Sequence, residues 1–434
     1  MLRGARAPAR PRRAARTTAA RTTAARTTAA TPRALATTTT TTAELPQPPP
    51  PLVLGAVEAL FRVKPLFDAA TRKARATIID RAAQIGVDWE AEKNALRESV
   101  GDGGSWDAAI ERAVAEGTSA AGGRPGSSAI SYPSYYTVPF HAYPEGNLSL
   151  TAALEVGVAA ASVHATVFAP APAGRDAPAP APDPHGDARL RSGYMDACLY
   201  LLRELEAEGL LSFAVPPASG GSGSGSASAP TPLRIADFGA ATGLSSLALA
   251  ESFGSSAQVT GVDLSPHFVA VGRVEMARRR LAATALAAAT AAPEQQQQQP
   301  LTPAPAHQRV ALLHGAIEDT GLPSASFDVV SMCLVAHELP RAASRDAFRE
   351  ARRLLKPGGA FCMMDMDPLS AGFKRIYSNP FALAAFKSTE PWLTEYVALD
   401  AMGAVADAGF VGGSVRVKSC SPRHRAIVAA APKA

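Results

Sequence analysis

The C-terminal half of the sequence predicts a doubly wound α/β domain, preceded by a helical and aromatic segment. Three observations carry that expectation. The apolar run 233–238 leads through a glycine-containing turn and a helix to a second apolar run, 259–263, that ends in the carboxylate of Asp263. That order is a βαβ unit able to hold an adenosine-containing cofactor. Apolar runs and helical stretches then alternate as far as Asp365, which favours parallel strands wound on both faces. The chain closes on two short β runs within 414–430, parted by a turn.

The first fifty residues have a different chemistry. Arginines recur from Arg3 to Arg33, alanine and threonine dominate, and no acid appears before Glu44. The unit Ala-Arg-Thr-Thr-Ala repeats at Arg16, Arg21 and Arg26, a period of five that fits neither a helical face nor a solenoid. A basic, acid-free, hydroxyl-rich start reads as an organellar transit peptide over 1–50, for the chloroplast or alternatively the mitochondrion. A basic arm that binds RNA is the competing assignment. Much of the net charge of +5 sits in this leader, so no nucleic-acid partner is expected of the remainder.

Residues 51–168 form the helical and aromatic segment, expected to cover a substrate. A helix is expected over 57–89, where Leu66, Ala70, Ala74, Ile78, Ala82 and Ile85 recur every three or four residues. Arg62, Lys64, Arg72, Lys73, Arg75 and Arg81 make it basic. Such a helix either rests peripherally on an anionic membrane or a lipid-like substrate, or simply covers a core. Tyr132, Tyr135, Tyr136, Phe140 and Tyr143 then crowd around His141 and Glu145 in a proline-broken stretch, although the whole chain is only 6% aromatic. That density suits a pocket wall, or a plug that seats one part of the chain on another.

A linker is expected over 169–230, with a helix near 188–212, and the cofactor domain over 231–434. Four low-complexity stretches, 101–128, 170–186, 216–232 and 285–306, bury too little apolar surface to order themselves and read as surface insertions. The last lies between a helix and the third strand, away from the strand ends where ligands bind, and should be dispensable.

Within the cofactor domain a helix follows from about Pro266 to Ala292, then a strand over 309–314, the loop Gly315-Ala316-Ile317-Glu318, and an apolar strand after Asp328 that reaches His337 and Glu338. A helix over 341–355 leads through Lys356-Pro357-Gly358-Gly359 to a further strand, 360–365. No apolar run of about eighteen residues is free of charge, so no transmembrane helix is expected. Cys198, Cys333, Cys362 and Cys420 are scattered without a paired spacing or clustered histidine, so they read as buried thiols and no metal site is expected.

The turn decides between cofactors. A dinucleotide fold wants Gly-x-Gly-x-x-Gly, so that pyrophosphate can approach the backbone where the helix begins. Those positions hold Gly239, Ala241 and Leu244, and a nicotinamide-dependent oxidoreductase is disfavoured. The stretch instead resembles the Asp-x-Gly-x-Gly-x-Gly loop of class I S-adenosylmethionine methyltransferases, with Asp237, Gly239 and Gly243 in place and Ala241 for the middle glycine. The runs Phe-Asp328-Val-Val, His337-Glu338-Leu-Pro and Leu-Lys356-Pro-Gly-Gly are similar to the ubiquinone and menaquinone methyltransferase-like (type 11) branch. The likeness extends over nearly all of 231–434. The aromatic segment, Ser388-Thr-Glu390-Pro-Trp392 and Pro422-Arg-His424-Arg resemble a plastid and cyanobacterial set of methyltransferases.

The resemblance implies a Rossmann-like class I methyltransferase sheet with a terminal antiparallel hairpin, and S-adenosyl-L-methionine as cofactor. It implies that the backbone from Gly239 through Ala241 to Gly243 approaches the methionine part, that Asp237 orients this loop or meets the ammonium group, and that Asp263 accepts from the ribose hydroxyls. The loop after the third strand usually carries an acid or amide for the adenine amino group. Ala316 stands there, leaving Ile317 backbone, Glu318 or Asp319 for that contact.

Methyl transfer needs alignment more than protein nucleophiles or metals. An oxygen, nitrogen or carbon-acid acceptor must also lose a proton, for which His141, His337, Glu338 and Glu390 are candidates on separate segments. The expected activity is methylation of a small-molecule or lipid-like acceptor. The alternative is a catalytically silent cofactor-binding or assembly protein on the same fold.

Overall fold

The computed structural model describes residues 45, 47–100, 104–117, 130–170, 180–217, 232–290 and 304–433. Nearly all of the leader, most of 170–186, 216–232 and 285–306 and half of 101–128 lie outside these residues, and the described half of 101–128 is ordered around a helix at Trp106–Ala115. Residues 44–434 pack as one unit.

The first helices are α1 (Pro51–Arg62), α2 (Lys64–Gln84), α3 (Trp89–Glu98), α4 (Trp106–Ala115) and α5 (Leu150–His164). The single helix expected over 57–89 is corrected. Val63 is extended, with φ −76° and ψ 103°, and Pro65 sits in the first turn of α2, where its missing N–H is no loss although it could not have continued the hydrogen-bond ladder of α1. The next boundary follows from Asp88, whose carboxylate accepts from Ala91 N. Ser105 and Ser149 cap α4 and α5 in the same way.

The helix expected near 188–212 is α6 (Gly186–Ala207), but it does not serve as part of a linker. Leu190, Tyr194, Leu202 and Leu205 are fully buried, and Tyr194 Oη lies 2.9 Å from Ser331 Oγ and donates to Cys362 O at 3.0 Å. Thus α6 is a layer of the sheet domain itself.

The strands and later helices follow as β1 (Arg234–Phe238), α7 (Leu244–Ser252), β2 (Gln258–Asp263), α8 (Pro266–Thr290), β3 (Val310–His314), β4 (Phe327–Cys333), α9 (Arg341–Leu354) and β5 (Leu355–Met366). Short helices α10 (Ala371–Tyr377), α11 (Pro380–Thr389), α12 (Leu393–Val397) and α13 (Ala401–Asp407) precede β6 (Arg416–Ser419) and β7 (His424–Ala430). The sheet order is β3-β2-β1-β4-β5-β7-β6, parallel through β5, with β7 antiparallel to β5 and to β6. The expected doubly wound α/β fold with its terminal hairpin is present.

Alternation assigns the two faces. Ile235, Val259, Val329, Cys362 and Val428 pack with α6 and α7, whereas Ala236, Val262, Val330, Phe361 and Ile427 pack with α9 and α13. Strand order reverses between β1 and β4, which opens a crevice beyond their C-terminal ends. No described helix is long and apolar enough to cross a membrane.

Candidate active site

The crevice opens into a cavity of about 620 Å³. Its wall on one side is the turn after β1. Gly239, Ala241 and Gly243 all take positive φ, at 65°, 47° and 93°. Ala241 therefore adopts the left-handed conformation that glycine reaches without cost, at the position where the related loop carries glycine. The residues of positive φ other than glycine include His141, Ala142 and Leu334, and each of these lines the same cavity. Backbone strain thus gathers at the site.

Two carboxylates set this turn. Asp263 ends β2, where Oδ2 accepts from Ala241 N and Oδ1 from Ser265 N, both at 2.8 Å. It lines the cavity while only 7% exposed, and burial, opposed by those two N–H groups, pushes its carboxyl up to about 6. Helix α8 is capped by Ser265, whose Oγ accepts from Phe268 N, so capping is not the task of Asp263. Asp237 lies beneath the turn, fully buried. Its Oδ2 accepts from Ser245 Oγ and Ser246 Oγ at 2.6 and 2.7 Å, while Oδ1 has no partner among the described residues. Burial raises its carboxyl to about 6 against those hydroxyls.

The loop after β3 divides the residues expected there. Ile317 and Glu318 line the cavity, but Ala316 pairs with Asp319 in a short bridge and does not. Glu318 Oε1 accepts from Tyr135 Oη, and Oε2 is buried without a partner among the described residues. Burial raises the Glu318 carboxyl despite that hydroxyl. Gly243 and Asp237 also stay off the wall. Asp237 is placed to orient the turn.

Facing the turn, the fold assembles all four proton-transfer candidates. A 3-10 turn over Ala336–Glu338 follows β4, and His337 Nδ1 lies 2.8 Å from Asp365 Oδ1 while His337 N donates to Asp365 Oδ2 at 3.1 Å. Burial would lower the His337 pKa, but the Asp365 charge and hydrogen bond overcome it and hold the ring up to about 10. His141 Nε2 lies 2.8 Å from Glu390 Oε1 and 3.8 Å from Glu338 Oε1. Its pKa is also raised, burial being outweighed by Glu390 and Glu338. Burial lifts the Glu338 carboxyl, opposed by His141 and His337.

Sequence reasoning missed Asp365, although it ends an apolar strand with a carboxylate just as Asp263 does. It also misjudged Arg75, counted among the charges of a solvated or membrane-facing helix. The Arg75 guanidinium bonds both Glu155 oxygens at 2.7 Å, and Tyr143 Oη donates to the same carboxylate at 2.5 Å. This ties α2 to α5 and closes the cavity's N-terminal wall, where Arg75, Tyr143, Tyr136 and Phe140 are lining residues.

These groups fit S-adenosylmethionine. A buried carboxylate at a strand end suits vicinal hydroxyls, and the turn exposes backbone into the cavity. Residues 236–363 match the family described as "Methyltransferase domain". A demethylmenaquinone methyltransferase of Geobacillus sp. (strain WCH70) is 26% identical over 133 residues, 30% of this chain and 45% of that protein. A ubiquinone/menaquinone biosynthesis C-methyltransferase of Nitrobacter hamburgensis is 26% identical over 162 residues, 37% of this chain and 52% of that protein. The chain thus spans about half the length of the curated relatives it matches. A solved S-adenosylmethionine-dependent methyltransferase from Aquifex aeolicus has 16% identity, a TM-score of 0.30, and coverage of 46% of this chain and 81% of its own. Residues 236–363 are thus a methyltransferase domain, set in the doubly wound sheet with its terminal hairpin.

Proposed function

We propose that the protein transfers the methyl group of S-adenosylmethionine to a small-molecule or lipid-like acceptor whose attacking atom must lose a proton. The observation that carries this is the meeting, in one cavity, of the Asp263-anchored turn with His141, His337, Glu338 and Glu390. The curated relatives are named for quinone methylation, which supports a ring-bearing acceptor of that general kind. When bound, the cofactor supplies a sulfonium methyl already activated for displacement.

The chain's own residues do the rest. Asp263 and the Gly239–Thr242 backbone hold the cofactor, with Ile317 and Glu318 on its adenine side. His337, kept cationic by Asp365, steadies negative charge on the acceptor. The Glu338 carboxylate, made more basic by burial, accepts the proton, with His141 held beside it by Glu390. The wall formed by Tyr136, Phe140 and Tyr143 excludes water and aligns the acceptor. A silent cofactor-binding role gives no reason for two histidine–carboxylate pairs to face the cofactor turn.

We also assign the leader over 1–50 to organelle import, with the chloroplast as destination, on its arginine, threonine and alanine composition. Peripheral membrane contact is assigned to the basic stretch 57–89. Calorimetric titration with S-adenosylmethionine and with NADH tests the cofactor, and methyl transfer into an organelle extract tests catalysis. Binding of NADH alone, or cofactor binding without methylation of any extract component, would contradict the proposal.

A further inference from the structure

Across the sheet the functional groups fall in a line. The cofactor turn stands over β1 and β2, the His337–Asp365 pair over β4 and β5, and Arg423 directly before β7, whose first residue pairs with Met366 of β5. Strands lie about 4.8 Å apart, so Arg423 stands about 10 Å from the β4 position in this direction.

Four arginines line the cavity, and they divide into two kinds. Arg75 is neutralised by Glu155 and Arg191 by Asp187. Arg81 and Arg423 make no ion pair among the described residues. Each donates one hydrogen bond to a neutral carbonyl at the end of α5, Arg81 to Ser162 O at 3.3 Å and Arg423 to Thr166 O at 2.9 Å. Ser162 is in the last turn of α5 and Thr166 just past its end, and the charge of Arg81 is felt at Arg423, so two guanidiniums from distant parts of the chain converge. Burial depresses the pKa of both, and the charges of Arg375 and Arg81 depress Arg423 further. A guanidinium has five N–H donors, and most of those on this pair stay unspent. Two cations close together, neither paired with a carboxylate among the described residues, form a ready site for a carboxylate or phosphate, which guanidiniums bind in forked geometry.

We infer that the methyl acceptor carries an anionic group, held by Arg81 and Arg423 about two strand spacings from the carbon-accepting end at His337. The inference rests on the assignment of this cavity to the acceptor. It narrows the acceptor to amphipathic molecules with a carboxylate or phosphate at one end and the methylated atom at the other.

The test is the melting temperature of the full chain, titrated with inorganic phosphate and with benzoate against chloride at constant ionic strength. The wild type should show a saturable rise with at least one of the two, and R81Q and R423Q should each weaken that response at least tenfold. A response to benzoate alone selects a carboxylate, and to phosphate alone a phosphate. Should one variant fail to fold, the other decides. Equal melting in all three salts, or a response that survives in a folded variant, overturns the inference and leaves the two arginines as clamps on the end of α5. S-adenosylmethionine affinity, measured in parallel, should be unchanged in both variants. A wild type that responds to anions but binds no S-adenosylmethionine would defeat the methyltransferase assignment and leave the anion site standing.

Discussion

His141 Nε2 lies 2.8 Å from Glu390 Oε1, so the aromatic segment of the N-terminal half is joined at the cavity wall to the end of α11. His141 N also donates to Thr389 O at 3.1 Å. Glu390→Gln keeps the shape of this contact and removes its charge. Turnover should fall about 100-fold, in the range of a lost acid–base partner, with S-adenosylmethionine affinity within about twofold. Equal losses in turnover and cofactor affinity would show that the contact serves folding of the cavity alone.

The Asp365 carboxylate is the reason His337 holds its proton. Its folded pKa, about 10, stands above the unfolded value of about 6.5, so its contribution to stability is complete below pH 6.5 and disappears as pH rises through 10. Asp365→Asn should bring the imidazole pKa down by several units, seen by NMR titration, and remove most of the stability loss that the wild type shows between pH 6.5 and 10. An unchanged pKa in the variant would contradict the pairing.

Ala241 at φ 47° bears the strain of a left-handed alanine, about 1–2 kcal/mol, against which glycine's greater unfolded-state entropy sets about 0.4–1 kcal/mol. Ala241→Gly should therefore raise stability by about 0.5–1 kcal/mol, read from denaturant unfolding, with Asp263 still accepting from residue 241. A loss of stability would mean that the alanine methyl packs in a way that outweighs the strain.

Gly239 responds oppositely. A Cβ there would stand 2.5 Å from Val335 Cγ2, and the residue also has φ 65°. Gly239→Ala should cost about 1–3 kcal/mol through overpacking, and a second change, Val335→Ala, should recover part of it. Additive losses in the double variant would rule out that clash as the cause.

Helix α8 continues to Thr290, so the dispensable insertion is shorter than the composition of 285–306 suggests. Replacing residues 291–303 by a short Gly/Ser linker should leave turnover within about twofold. A larger drop in a folded protein would assign that stretch a function.

The cofactor side of the site was legible because its logic is local. An apolar strand, a turn and a terminal carboxylate are adjacent in sequence, and Asp237, Gly239 and Asp263 stand where that order puts them. The reacting side was legible only as a set of residue types. His141, His337 and Glu390 lie on different segments, and nothing in their spacing brings them together or reveals Asp365 as a partner. The helix at 186–207 was legible, but flanking low-complexity sequence made it read as part of a linker, because its burial depends on a sheet that forms later in the chain. Charge pattern alone could not show that Arg75 turns inward, since an arginine paired with a distant Glu155 and a solvated arginine read alike. Ala316 bridges to Asp319 and stays off the wall that Ile317 and Glu318 occupy, a local backbone pairing that residue types do not reveal.

The cofactor affinity of Asp263 variants tests the central claim most directly. Charge-assisted hydrogen bonds contribute about 1.5–3 kcal/mol each, so Asp263→Ala should weaken S-adenosylmethionine binding by about tenfold or more per bond lost, with Asp263→Asn between it and the wild type. The same carboxylate anchors Ala241 N and Ser265 N, so some loss of stability is expected alongside. Calorimetric titration of the three folded proteins should give that ranked series of affinities. Affinity for S-adenosylmethionine within about twofold of wild type in a folded Asp263→Ala variant, or no binding by the wild type, would contradict the assignment of this cavity to the cofactor.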